Sequence, residues 1–168
     1  MKYTSRQIIE GPLELVEAVG LDRSRDVKVY PNVTSCKVVK ERNEGSKRYV
    51  TVETVGNGDI PPKLRKIITP KMLTWIENAE YDFETKVYKY RVRTYYFSNV
   101  TKVSGVIKYI KKSENETLRT LDAEVKINIP ILGPIAERKI AELQKANLEL
   151  DIRNMREEVK ALMKKQKK

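Results

Sequence analysis

From Val33 to Ile129 the chain repeats one pattern, runs of two-residue period divided by joints of a few residues, and this limits its fold more than any other feature. Val33 to Glu41 and Arg48 to Val55 are rich in β-branched residues and flank "RNEGSK", whose Asn and Gly let the backbone turn. Leu73 to Tyr81, Phe83 to Phe97, Thr101 to Lys112 and Leu118 to Ile129 follow, joined after the first by "YDF", "FSN" and "SENE". A parallel crossover needs about a dozen residues, so these neighbours must pair antiparallel. The last run alternates most cleanly, with Leu121, Ala123, Val125, Ile127 and Ile129 on one face and Thr120, Asp122, Glu124, Lys126 and Asn128 on the other.

Helical patterns bound this meander. Residues 2 to 9 form a first strand, after which "GPLELVEAVGLD" offers Pro12 at a first helical position, Leu13, Val16 and Val19 at helical spacing and Gly20 as a stop. From Pro134 to about Lys164 there is neither glycine nor proline, which predicts a long helix started by "LGP". The predicted class is α+β, a curved seven-stranded antiparallel sheet wrapped around a long C-terminal helix, with a short helix after strand 1. Residues 1–150 form this domain, and residues 151–168 form a basic amphipathic extension and tail.

The long helix carries two apolar stripes. Ala136, Ile140, Leu143 and Leu150 make one; Leu148, Ile152, Met155, Val159 and Leu162 make another, displaced by roughly 150°. Three outcomes are open: the helix bends near Asn147 to Asp151, its second half projects past the body, or the second stripe packs on the N-terminal helix or the sheet's edge. A projecting half, with Arg153, Arg156, Lys160 and Lys164 opposite the stripe, suits an anionic membrane surface or self-association through residues 148–162.

This order of elements, together with "VKINIPILGPIAERKIAELQKANLE", resembles the START-like (SRPBCC) superfamily, and within it a family of uncharacterised function. In that family the last strand likewise ends in an apolar-Pro-apolar-x-Gly junction and runs straight into the helix that the sheet grips. "YPN" before the second strand and "IPPKLRKI" before the fourth are similar to PRELI-type lipid-transfer domains. The resemblance implies a helix-grip fold with a cavity between sheet and helix, and lipid transfer as one activity. The chain departs from the PRELI pattern in lacking histidine and in its helix junction.

Composition narrows the chemistry. With no histidine among 168 residues, Ser-His-Asp and Cys-His catalysis are excluded, and the single cysteine, Cys36, excludes an internal disulfide and a cysteine-based zinc site. "GNGDIP" has Pro61 where a dinucleotide fingerprint needs a small residue. Glu77, Glu80, Asp82 and Glu84 cluster around a predicted β-turn and are expected to be solvated. Acid–base work by another carboxylate or lysine would need a burial-shifted pKa, which is a property of the fold. No catalytic residue, metal or cofactor is therefore assigned. The start of the chain lacks a signal peptide's apolar core, and nowhere do about 18 apolar residues run together, so a cytoplasmic protein is expected, with peripheral membrane contact open.

Two segments carry the binding expectation. In "GDIPPKLRKIITPKM", residues 58–72, Ile60, Leu64, Ile67 and Ile68 fall on one face of a short helical turn, while Lys63, Arg65, Lys66 and Lys71 occupy the rest. Such a segment folds down as a lid, lies in a membrane interface, or plugs the end of the sheet. In "FETKVYKYRVRTYYF", Tyr88, Tyr90, Val92, Thr94 and Tyr96 alternate with Lys89, Arg91 and Arg93, so one face is aromatic and the other cationic. The aromatic face either packs on the long helix or lines a cavity with Trp75, Ile140 and Leu143.

The leading expectation is non-enzymatic binding or transfer of a hydrophobic or amphipathic small molecule such as a lipid, gated by the 58–72 loop. Cationic contact with an anionic surface is expected at Lys63, Arg65, Lys66, Lys71, Arg153, Arg156, Lys160 and Lys164. The alternative is nucleic-acid binding, because a net charge of +11 and tyrosines interleaved with Lys and Arg provide phosphate contacts and stacking. A cyclase or hydrolase activity is implied only by relatives of the fold.

Overall fold

The computed structural model describes residues 1–57, 60, 62–66, 69 and 72–166, with the backbone alone at Leu64. Strand β1 (Lys2–Glu10) is followed by helix α1 (Leu13–Leu21), a 3₁₀ turn (Arg23–Arg25) and a short helix α2 (Asp26–Val29). Then come β2 (Val33–Glu44), β3 (Lys47–Gly56), a second 3₁₀ turn (Pro62–Leu64), β4 (Thr74–Asp82), β5 (Val87–Thr94), β6 (Thr101–Ser113), β7 (Glu116–Ile127) and helix α3 (Leu132–Gln166). The seven strands form one antiparallel sheet in the order β1-β7-β6-β5-β4-β3-β2, the meander that the short joints require. Because β1 and β2 are the two edges, the chain between them crosses a face of the sheet, and α1 and α2 make that crossing. Helix α3 packs on β7, β1, α1 and α2, which leaves β2 to β5 to face the rest of the interior.

Local chemistry sets the element ends. Pro12 caps α1 from the extended region, as its fixed φ favours. Gly20, expected as the stop, instead lies inside the last turn, and the helix ends one residue later. A Cβ there would collide with the Tyr109 hydroxyl, so this glycine allows a close approach. Strand β5 begins at Val87 rather than Phe83. The Asp82 carboxylate accepts from the Glu84 and Thr85 amides at 2.9 and 3.4 Å and folds residues 82–86 into a turn, which Lys86 closes with φ +58°. At its other end β5 stops at Thr94, two residues short of Tyr96.

Helix α3 runs unbroken across residue 150, and one stripe faces the body along most of its length. Ile152, Met155 and Val159 are buried with Ile9, Val16 and Val19, so the second apolar stripe packs against the N-terminal helix, the third of the three outcomes. Continued toward the N-terminus at steps of three and four, that stripe becomes Leu148, Gln144 and Ala141. Ala141 is 1% exposed against Tyr3, Leu121 and Ala123, while the Tyr3 hydroxyl donates to Gln144 Oε1 at 2.7 Å. The first half of the core stripe is therefore small and polar, and an apolar count passes over it. Ala136 is buried, but Ile140, Leu143 and Leu150 are half-buried on the flank of α3 that also carries Asp151.

Candidate functional site

The concave face of the sheet is defined by register. Trp75, Glu77, Ala79 and Tyr81 of β4 stand opposite Thr94, Val92, Tyr90 and Tyr88 of β5. Tyr88, Tyr90 and Val92 in turn stand opposite Ile107, Gly105 and Val103 of β6. Lys89, Arg91 and Arg93 are exposed on the convex side. The two-faced reading of this strand therefore holds from Tyr88 to Thr94. Tyr96 lies beyond the strand and is 47% exposed. At Gly105 the missing side chain lets the Tyr90 ring lie across β6, since a Cβ there would fall 2.6 Å from two ring carbons.

One end of this face is closed by α1 and α2 and is lined with paired charges. Lys86 Nζ lies 2.8 Å from Glu17 Oε2 and ties the β4–β5 turn to α1. Arg23 reaches Asp26 at 3.0 Å and Glu77 at 3.2 Å, and the Tyr88 hydroxyl donates to Glu77 at 2.6 Å. Asp151 of α3 accepts from Arg25 at one oxygen (2.9 Å) and contacts Arg119 of β7 at the other (3.0 Å), while Arg25 also donates to Asn154 at 2.6 Å. Glu17, Arg25, Asp26, Glu77, Arg119 and Asp151 are all buried, and each of these carboxylates has a cation within 3.2 Å. Such pairing is what keeps charge tolerable in a low-dielectric interior.

Protonation follows from this packing. Burial disfavours the charged form of Arg119, yet Tyr109 and Asp151 outweigh it and hold the guanidinium above its usual range. Burial raises the Tyr88, Tyr90 and Tyr109 phenols, in Tyr88 with help from Glu77, and pushes Tyr3 up to about 12. These hydroxyls stay neutral donors at physiological pH. Burial raises Asp26 despite Arg23, and it also raises the Cys36 thiol, whose sulfur lies 3.5 Å from Asp26 Oδ2. A thiol kept protonated is a poor nucleophile. The arrangement can donate hydrogen bonds and present fixed charge, and its carboxylates are committed to cations.

At the opposite end the lining is apolar and less tightly closed. Trp75, Val92, Ile140 and Leu143 are half-buried, and Ile60 packs with Ile129, Leu132 and Ile140 against Ile127 and Ala136. The 58–72 segment thus has one of its expected apolar residues, Ile60, against the start of α3. Ile67, Ile68, Lys71 and the side chain of Leu64 lie outside the described residues. Lys63, Arg65 and Lys66 are exposed, and Arg65 donates to the Ile60 carbonyl at 2.9 Å. Arg153, Lys160 and Lys164 are exposed on α3, whereas Arg156 donates to the Ile8 carbonyl at 2.9 Å and ties α3 to β1. Arg153 and Arg156 border a groove of about 350 Å³ between β1 and α3.

Sequence reasoning missed Arg23, Arg25, Arg119 and Asp151, and it placed Glu77 in a solvated turn where the structure buries it in β4. For Arg23 and Arg25 the local signal was the charged run "DRSRD", which by default is a solvated loop; Arg119 and Asp151 had none. On the convex side, Lys89 and Arg91 do share an exposed trough of about 630 Å³, but Lys2 is the only other cation lining it and Glu80, Asp122 and Glu124 balance the three. That trough has no cationic track for a phosphate backbone.

An antiparallel sheet of this order, curled over a long C-terminal helix with α1 and α2 closing one end, is the START-like (SRPBCC) helix-grip fold. The model of the family described as "Protein of unknown function (DUF2505)" matches residues 12–157, and the chain belongs to that family. Three solved structures share the fold. TTHA0849 from Thermus thermophilus is 20% identical, with a TM-score of 0.67 over 96% of this chain and 99% of that one. The Zhui aromatase/cyclase from Streptomyces sp. R1128 is 15% identical, with a TM-score of 0.65 over 95% and 93%. A START superfamily protein from Mycobacterium smegmatis is 14% identical, with a TM-score of 0.55 over 96% and 98%. No curated protein matches the chain. Among the described residues no helix is long and apolar enough to cross a membrane.

Proposed function

We propose that this protein binds a hydrophobic or amphipathic small molecule between the concave face of the sheet and α3, without chemistry of its own. One observation carries this: toward the open end, Trp75 and Val92 on the sheet and Ile140 and Leu143 on the helix are each left half-buried. At the closed end the corresponding residues, Tyr81, Val52 and Met155, are at most 1% exposed. Apolar side chains left incompletely covered suit an apolar guest, and the tyrosines of the same sheet face would offer hydroxyls to its polar end. That a structural relative is an aromatase/cyclase is consistent with a small-molecule site in this fold. In this reading the 58–72 segment, whose Ile60 packs near the start of α3, would gate entry. Lipid transfer is the finer version of this reading.

The test is extraction of natively purified protein followed by mass spectrometry, together with titration of a fluorescent fatty acid monitored through Trp75, the single tryptophan. A stoichiometric ligand and a saturable change in Trp75 emission are expected, both lost in Ile140→Phe, whose bulkier ring fills the open end while Trp75 stays the single tryptophan. Absence of any extracted molecule and of any Trp75 response would overturn the reading.

A further inference from the structure

Two turns at the open end hold bulky apolar side chains out in water by means of unfavourable backbone. Ile131 has φ +68° and is 86% exposed, the most exposed large apolar residue among the described residues. The Leu132 amide donates to the Pro130 carbonyl at 2.7 Å, which makes the Pro130–Leu132 segment the positive-φ form of the γ-turn, rare and strained. A β-branched residue is among the worst suited to it. Phe97, with φ +59°, ends a run of three exposed aromatics in which Tyr95 is 57%, Tyr96 47% and Phe97 39% exposed. Among the described residues no hydrophobic cluster takes in Ile131 or Phe97, so burial of these side chains does little to offset the backbone cost.

The two turns adjoin. Thr101 pairs with Ile127, and the Asn128 amide donates to the Val100 carbonyl at 2.8 Å, so the β5–β6 turn lies against the β7–α3 junction. Cations surround them. Arg93 is exposed two residues before Tyr95, Lys102 and Lys126 are opposite each other at the same end of β6 and β7, and Lys63 and Lys66 are exposed just beyond Ile60. The nearby carboxylates are engaged: Glu53 accepts from the Tyr95 hydroxyl at 2.7 Å, Glu124 pairs with Lys102 at 3.0 Å, and Glu137 accepts from the Ile127 amide at 2.7 Å.

We infer that this rim, Tyr95, Tyr96, Phe97 and Ile131 within a ring of Lys and Arg, docks on an anionic bilayer surface. Tyrosines suit the boundary, where the ring meets acyl chains and the hydroxyl meets head groups. The isoleucine and phenylalanine insert, and the cations supply the attraction to anionic lipid. Lys63 and Lys66 are among the surface-contact residues that sequence alone suggested, whereas Tyr95, Phe97, Ile131, Arg93, Lys102 and Lys126 are not; the inference holds whether or not the interior takes a ligand.

The experiment is flotation of the purified chain with vesicles of equal parts phosphatidylcholine and phosphatidylglycerol, and with phosphatidylcholine alone. The double variant Phe97→Asn, Ile131→Asn removes the apolar contact while suiting the left-handed backbone, so it should fold with an equal or higher Tm. The wild type is expected to float with the anionic vesicles, less so with neutral ones or in high salt, and the variant to lose about tenfold in partitioning. A wild type that stays at the bottom, or a variant that floats equally well, overturns the inference. So does concentration-dependent self-association of the wild type that the variant abolishes, since the rim would then be an interface between copies.

Discussion

At the scale of single residues, the interior depends on Asp151. It accepts from Arg25 and contacts Arg119, so Asp151→Asn strips the buried Arg119 of its carboxylate and leaves Arg25 only the more exposed Glu158, at 3.0 Å. A loss of about 3 kcal/mol or more in urea unfolding is expected, against under about 1 kcal/mol if the site were solvated. Ile131→Gly moves the other way, because glycine occupies φ +68° without a Cβ penalty; a gain of about 1 kcal/mol is expected in the same assay. Glu137 gives a pH signature. The Ile127 amide holds its carboxyl below the ordinary value of 4.5, so its folded pKa is lower than its unfolded one. Its contribution is therefore present above that value and is lost as pH falls through the folded pKa. Glu137→Gln should be less stable than wild type at neutral pH, with the difference closing as acid is added.

The elements are joined by a few close approaches. Tyr90 crosses β6 only because Gly105 has no side chain, so Gly105→Ala should cost about 1–3 kcal/mol. In a Tyr90→Leu background most of that cost should disappear, and a double-mutant cycle by chemical denaturation measures the coupling. The second half of α3 belongs to the body. Met155→Ala should lose about 2–5 kcal/mol, whereas Leu162→Ala, at a position 37% exposed, should lose under about 0.5 kcal/mol. Equal small effects at both positions would mean that the half-helix is detached in solution. Periodicity made each strand of the meander legible, because one buried face forces alternation along every strand. It misjudged α3, because polar Gln144 and small Ala141 face the core where an apolar stripe was sought.

For the whole molecule, the proposed binding rests on the unequal closure of the two ends. A ligand supplied at about a hundred times its Kd should add about 2.7 kcal/mol of stability. In a chain of this size that is a rise of several degrees in Tm, at about 2–4 °C per kcal/mol. Ile140→Phe should abolish the rise, since it removes the space rather than the fold. The closed end should respond differently: Asp151→Asn lowers the starting Tm, yet the ligand-induced increment should survive, because the cation pairs support the scaffold while the proposed guest would lie at the open end.

Local pattern was enough to specify the architecture. Short joints fix antiparallel pairing for all neighbours of the meander except those flanking the 58–72 loop, and a glycine-free and proline-free run after "LGP" leaves only a long helix. The same pattern placed Tyr88, Tyr90 and Val92 on one face, because alternation is a local property of a strand. Which charges are buried was settled by folding alone. Arg25 meets Asp151 across 126 positions of sequence, and nothing local to either marks the pair. The reason is physical: a charge is solvated unless a partner arrives with it, and partners brought together by folding are set by the packing of α2, β7 and α3 rather than by composition.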